Sequence, residues 1–248
     1  MNVELAALVF APALAIGSFL NVVAARLPLR RSIVSPGSAC MSCSTPLAWY
    51  DNIPLVSYAV LRGRCRHCKA EIPWRYPAVE LSTALLVAGC ALKFGWTWDF
   101  VIASVFCAVL VTISATDIER RIIPNRVVVP AGLGLLAAQT LVHPSIEWVV
   151  AAVGAAAFFL VAALAYPGGM GMGDVKLAFL LGAVLGSAVV VALFLGMIFA
   201  LVPSVVLFAR HGSKARKMAI PFGPFLALGG VVALFAGNSL LHSYLGLL

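Results

Sequence analysis

Apolar stretches long enough to cross a bilayer recur along almost the whole chain, and they leave few folds open. A helix needs about 20 apolar residues to traverse a ~30 Å hydrocarbon core. Runs bounded by charge, Gly or Pro fall near 4–25, 79–95, 99–116, 127–143, 147–166, 175–188, 189–209 and 222–246. Stretches such as Val101–Leu110 and Val149–Ala165 are apolar on every side, whereas transmembrane β-strands would alternate apolar and polar residues, so helices are required. Of 248 residues, 62% are hydrophobic and only 10% charged, against about 25% charged in soluble domains. That excludes a water-soluble globule, a disordered chain and a secreted disulfide scaffold. The expected fold is an all-α polytopic membrane protein of about eight transmembrane helices: a first helix (1–25), a polar insert (26–78) and a helical bundle (79–248).

The basic residues set the orientation. With an even number of crossings both termini share one side, and the loops divide into two sets. One set holds sixteen Lys and Arg residues, from Arg26 to Lys217; the other holds Lys93 alone. By the positive-inside rule the first set is cytoplasmic and both termini are extracytoplasmic. The net charge of +8 is thereby dispersed over membrane loops, without a motif that would bind nucleic acid. The start Met1-Asn2-Val3-Glu4 lacks the basic residues of a cleaved signal peptide, so the first span reads as retained.

Inside the insert lie Cys40-Met41-Ser42-Cys43 and Cys65-Arg66-His67-Cys68, a C-x2-C-x21-C-x2-C pattern. Each pair forms a knuckle whose two sulfurs reach one ion, and the segment between them folds back to complete a tetrahedron, as in a zinc ribbon. A cytoplasmic loop is kept reducing, which disfavours a disulfide framework, and a small insert with little core gains folding energy from a metal. Structural zinc on Cys40, Cys43, Cys65 and Cys68 is the favoured reading, with redox use and uncoordinated thiols as the alternatives. His67 reads as an exposed imidazole. Cys90 and Cys107 fall within spans and read as small buried hydrophobes.

Few acidic residues remain for the spans. Asp117 ends the third, in Ala115-Thr116-Asp117-Ile118-Glu119-Arg120-Arg121-Ile122-Ile123-Pro124-Asn125; Asp174 opens the sixth, after Gly168-Gly169-Met170-Gly171-Met172-Gly173. Counting crossings puts both carboxylates at the cytoplasmic interface. Asp174 alone has a structural explanation as a helix N-cap. Asp117 is harder to explain, because its charge opposes the dipole of a helix C-terminus unless Arg120 and Arg121 offset it. Ionisable groups at membrane depth are costly, and two at one level constitute a candidate site. Paired carboxylates share a proton, one acting as base toward water and the other as acid toward a carbonyl, which is the chemistry of an aspartic protease. The glycine run lacks the Lys-Ser/Thr ending of a phosphate-binding loop.

These residues resemble the bacterial prepilin leader peptidases, membrane aspartic proteases of type IV pilus and type II secretion systems. The resemblance covers nearly the whole chain. It rests on Gly17-Ser18-Phe19-Leu20-Asn21 with Arg26-Leu27-Pro28, the Cys pairs, Asp51-Asn52-Ile53-Pro54, Arg75-Tyr76-Pro77 with Glu80, Asp117 with Ile123-Pro124-Asn125, Gly171-Met172-Gly173-Asp174-Val175-Lys176, and Pro221-Phe222-Gly223-Pro224-Phe225. It implies a multi-pass protein of the bacterial inner membrane, surrounded by lipid, that cleaves the basic leader of prepilins and pseudopilins after a Gly. It further implies methylation of the new N-terminus, usually Phe, from S-adenosylmethionine. It assigns Asp117 and Asp174 as the catalytic pair and the four cysteines as zinc ligands. Where family knuckles often read Cys-Pro-x-Cys, this chain has Met41, a less rigid first knuckle. Asp51, Glu71, Glu80 and Arg75 are candidates to shape a methyl-donor site, with salt bridges and solvation as their ordinary alternatives. The competing reading is a proton-coupled transporter with a cytoplasmic zinc domain, which predicts carboxylates near mid-membrane. A membrane scaffold would need neither aspartate.

Overall fold

The computed structural model describes residues 1–165, 170–212 and 220–246. Gly168 and Gly169 of the glycine run, and Lys214, Arg216 and Lys217 of the basic loops, lie outside the described residues. Eight long helices are present among those described: α1 (Asn2–Arg26), α3 (Arg75–Phe94), α4 (Trp98–Arg120), α5 (Asn125–Val142), α6 (Glu147–Ala165), α7 (Met172–Leu185), α8 (Val189–His211) and α9 (Gly223–Leu245). A short α2 (Val56–Val60) lies in the insert. The described residues contain no β-strand, only isolated bridges at Ala39–Pro46 and Arg64–Glu71. Helix ends match the apolar runs to within about one turn, because a backbone in lipid must satisfy its own hydrogen bonds. Seven segments are long and apolar enough to span a membrane. One of them, Met172–Arg210, contains α7 and all but the last residue of α8, divided by a 3-10 turn at Gly186–Ala188 whose Gly186 has φ +56°.

The chain divides into two compact units, Met1–Ala115 and Thr116–Leu248. In the first, α1 packs along α3. Gly17 makes the approach possible: a Cβ there would lie 2.7 Å from the Glu80 Cα. Ala13, Ala84 and Val87 fill one layer of this contact, and Leu5, Ala6 and Ala91 another.

In the second unit, α7 packs against α5, α6, α8 and α9. Leu177, Ala178, Leu180, Leu181 and Ala183 are wholly buried, as befits a helix apolar all round. Close packing in lipid favours small residues. Gly182 abuts the Ala151 backbone of α6, and Gly229 of α9 abuts the Ala192 backbone of α8. With 14 residues, α7 is about 21 Å long.

Candidate active site

Asp117 lies inside α4, not at its end as the loss of hydropathy suggested. The helix runs on to Arg120 and closes where Arg121, at φ 54°, donates its N–H to the Asp117 carbonyl at 2.8 Å. Hydropathy marks where a helix leaves lipid, whereas backbone hydrogen bonding continues through polar residues. The Asp117 side chain is buried, and its Oδ2 accepts the Gly223 N–H at 2.9 Å. Gly223 is the first residue of α9, so the carboxylate satisfies a free amide at the positive end of another helix. Arg121 adds an attractive charge, while Arg120 sits 3.7 Å from its neighbour Glu119.

Asp174 likewise lies inside its helix. Gly171 is extended at the N-cap, Asp174 is the third residue of α7, and its Oδ2 accepts the Gly171 N–H at 3.2 Å. The favourable dipole of α7 acts on it directly. Asp174 also lies within electrostatic range of the Asp117 charge, although the two are 57 positions apart in the chain. Two further contacts join the same segments. A Cβ on Gly173 would fall 2.9 Å from the Ile123 Cβ, and Lys176 Nζ donates to Asn125 Oδ1 at 2.7 Å. The Ile-Pro-Asn and Gly-x-Gly-Asp-x-Lys motifs are thus two sides of one constellation.

Sequence reasoning singled out both aspartates but gave no role to Gly223, Asn125 or Lys176. The only signal was that they sat in recognisable motifs. Beside Asp174 lies a cavity of about 250 Å³ lined by Met170, Asp174, Ala200, Ser204, Ile220 and Phe222. The Phe222 ring stacks on Phe159 of α6, 6.1 Å between centroids.

The insert carries a second cluster. The sulfurs of Cys40, Cys43, Cys65 and Cys68 all lie within 4.8 Å of one another, and the group is able to hold a metal ion. The Cys40 and Cys68 Sγ atoms are 3.7 Å apart, against about 3.8 Å for a tetrahedron of thiolates at ~2.3 Å from a metal. The two knuckles share one hydrogen-bond pattern. Cys40 N–H reaches the Thr45 carbonyl and Ser44 N–H the Cys40 carbonyl; Cys65 N–H reaches Ala70 and Lys69 N–H reaches Cys65. Ser44 and Lys69 both take positive φ. Met41 therefore leaves the first knuckle with the same turn as the second, and the Tyr76 hydroxyl donates to its sulfur at 3.2 Å. Hydrogen bonding to the Thr45 side chain and amide draws the Cys43 thiol down to about 6.

His67 is exposed and stands outside the cluster. Cys90 and Cys107 are buried, their sulfurs 3.8 Å apart. Asp51 is gripped by Arg66 at 2.7–3.1 Å, a hydrogen-bonded pair that holds its carboxyl below the usual range. Glu80 Oε2 accepts the Leu55 N–H at 2.9 Å. Glu71 lies on the bridge to Arg64, and the Arg75 guanidinium sits 5.0 Å over the Tyr76 ring.

The chain is similar to known proteins over nearly its whole length. Residues 12–94 match the bacterial peptidase A24 N-terminal domain, and residues 104–205 match the type IV leader peptidase family. A prepilin leader peptidase/N-methyltransferase of Bacillus subtilis is 35% identical over 243 residues, covering 94% of each chain. Proteins of the same name from Aeromonas hydrophila and Pseudomonas aeruginosa are 35% and 34% identical, covering 96% and 94% of this chain and 93% and 90% of theirs. No solved structure matches. With its two halves matched in order and full-length relatives above 30% identity, the chain belongs to the type IV leader peptidase family.

Proposed function

We propose that this protein removes the basic leader from prepilins and pseudopilins by hydrolysis at Asp117 and Asp174, at the cytoplasmic edge of the inner membrane. The observation that supports the reading is that the two carboxylates lie within electrostatic range of one another, each with one oxygen engaged by a backbone N–H. One carboxylate takes a proton from water as the water oxygen attacks the scissile carbonyl carbon. The other, protonated, gives its proton to the carbonyl oxygen. The tetrahedral intermediate then collapses, the C–N bond breaks, and the departing amine takes up a proton. The cavity beside Asp174 suits the apolar first residue of the mature pilin. The transporter alternative gains no support, since both carboxylates lie in the end turns of their helices, Asp117 in the last turn of α4 and Asp174 in the first turn of α7, and not mid-span. The concentration of Lys and Arg in one set of loops supports cytoplasmic insert and site, with extracytoplasmic termini.

Zinc is the metal proposed for the four cysteines, supported by an all-sulfur set in tetrahedral spacing. It would hold the insert together, and the hydrolytic steps do not involve it. The names of the relatives, prepilin leader peptidase/N-methyltransferases, support a second activity, methylation of the new amine, with S-adenosylmethionine supplying the methyl group. Of the acidic residues considered for the donor, Asp51 is held by Arg66 and Glu80 by Leu55. No step is assigned to them.

Incubating the purified protein with a prepilin and S-adenosylmethionine, then reading the product's mass and N-terminus, tests both activities. Asp117→Asn and Asp174→Asn should each abolish leader removal without loss of folded protein. Normal processing by either variant would refute the dyad.

A further inference from the structure

The insert presents large apolar side chains where a soluble domain would hide them. Trp49 is 80% exposed, Val56 56%, Val60 71% and Trp74 75%. Scattered single apolar residues on a surface are ordinary, but these fall on or beside the short elements that flank the start of α3. Val56 and Val60 are one turn apart on α2 and so share a face. Trp49 opens the 3-10 turn that leads into α2, and Trp74 immediately precedes α3.

The depth of α2 is set by a hydrogen bond. Its first flanking residue, Leu55, is held at φ 58°, ψ −45°, and gives its N–H to the buried Glu80 carboxylate. Glu80 is five residues beyond Arg75, the first residue of α3, hence about 7–8 Å along the helix axis. If Arg75 and Trp74 mark the headgroup level, as basic and Trp residues at span ends do, then α2 lies where interfacial helices rest, about 5–10 Å into the headgroup and acyl boundary. The insert also holds eight basic residues against two acidic ones, and Arg62 and Arg64, just past α2, are exposed. That charge is complementary to anionic headgroups.

We propose that residues 49–61 form an interfacial docking element, with Trp49, Val56 and Val60 seated in lipid and Arg62 and Arg64 against anionic phospholipid headgroups. The insert would then be attached to the bilayer surface as well as to α1 and α3. This holds independently of the peptidase reading.

The test compares the full-length protein with its Trp49→Phe variant, each reconstituted in vesicles of phosphatidylcholine and phosphatidylglycerol, with lipids brominated high on the acyl chain as quenchers. The difference spectrum isolates Trp49 among the five tryptophans. About half or more of its emission should be quenched by the bromolipid, with little quenching by aqueous iodide. Strong iodide quenching with no bromolipid effect would overturn the proposal. Equal bromolipid quenching in vesicles without phosphatidylglycerol would overturn the role of anionic headgroups. Shielding from iodide that arises only when a prepilin is added would assign the face to the substrate instead. Because Trp49 is exposed, the single substitution leaves packing intact.

Discussion

Gly223 is a residue whose identity the site constrains tightly. A Cβ there would stand 2.9 Å from Asp117 Oδ2 and 3.3 Å from its Cγ, so any side chain must displace the carboxylate or the start of α9. Misplacing a reacting group by an ångström costs on the order of 100-fold in rate. Gly223→Ala should therefore lower kcat for leader removal by about 100-fold with little change in KM. Steady-state kinetics on protein of unchanged thermal stability would check this. Gly154, where a Cβ meets nothing within 4 Å, supplies the control, and Gly154→Ala should retain full rate. The aspartates were legible in the sequence because charge is rare in a span. The partner of Asp117 was not, because Gly223 lies 106 residues away and has no side chain to betray it.

At the scale of elements, the two knuckles of the insert repeat one design: backbone N–H to carbonyl hydrogen bonds across each turn, a left-handed residue after the second cysteine, and an isolated bridge flanking it. Spacing made this legible, since C-x2-C leaves the backbone few ways to aim two sulfurs at one point. The hold of Glu80 on Leu55, and of Asn21 Nδ2 on the Tyr76 carbonyl at 3.1 Å, was illegible, because nothing local says which helix a loop will rejoin. A small domain tied by a metal loses both halves when one ligand is lost. Cys65→Ser should release the metal and expose residues 26–78 to proteolysis while the helices of 79–248 stay protected. Metal analysis and mapped cleavage sites would check it, and wild-type protein purified without metal would contradict the zinc assignment.

For the molecule as a whole, the number and position of the spans were open to reading because apolarity is a local property that lipid enforces. The pairing of helices was not, since close approaches such as Gly182 on α6 and Gly229 on α8 depend on small residues that look alike along every span. The burial of α7 from Leu177 to Leu185, broken only by the half-buried Phe179, has a consequence for how the enzyme meets its membrane. Outer helices answer a thicker or thinner bilayer by tilting. A helix so largely walled in by protein offers little lipid contact through which mismatch can act, and it carries Asp174 in its first turn. The height of the reacting carboxylate is thus insulated from acyl-chain length. Leader removal measured in vesicles of short, medium and long chains should vary less than about threefold, a buffering suited to bacteria that remodel their lipids with temperature.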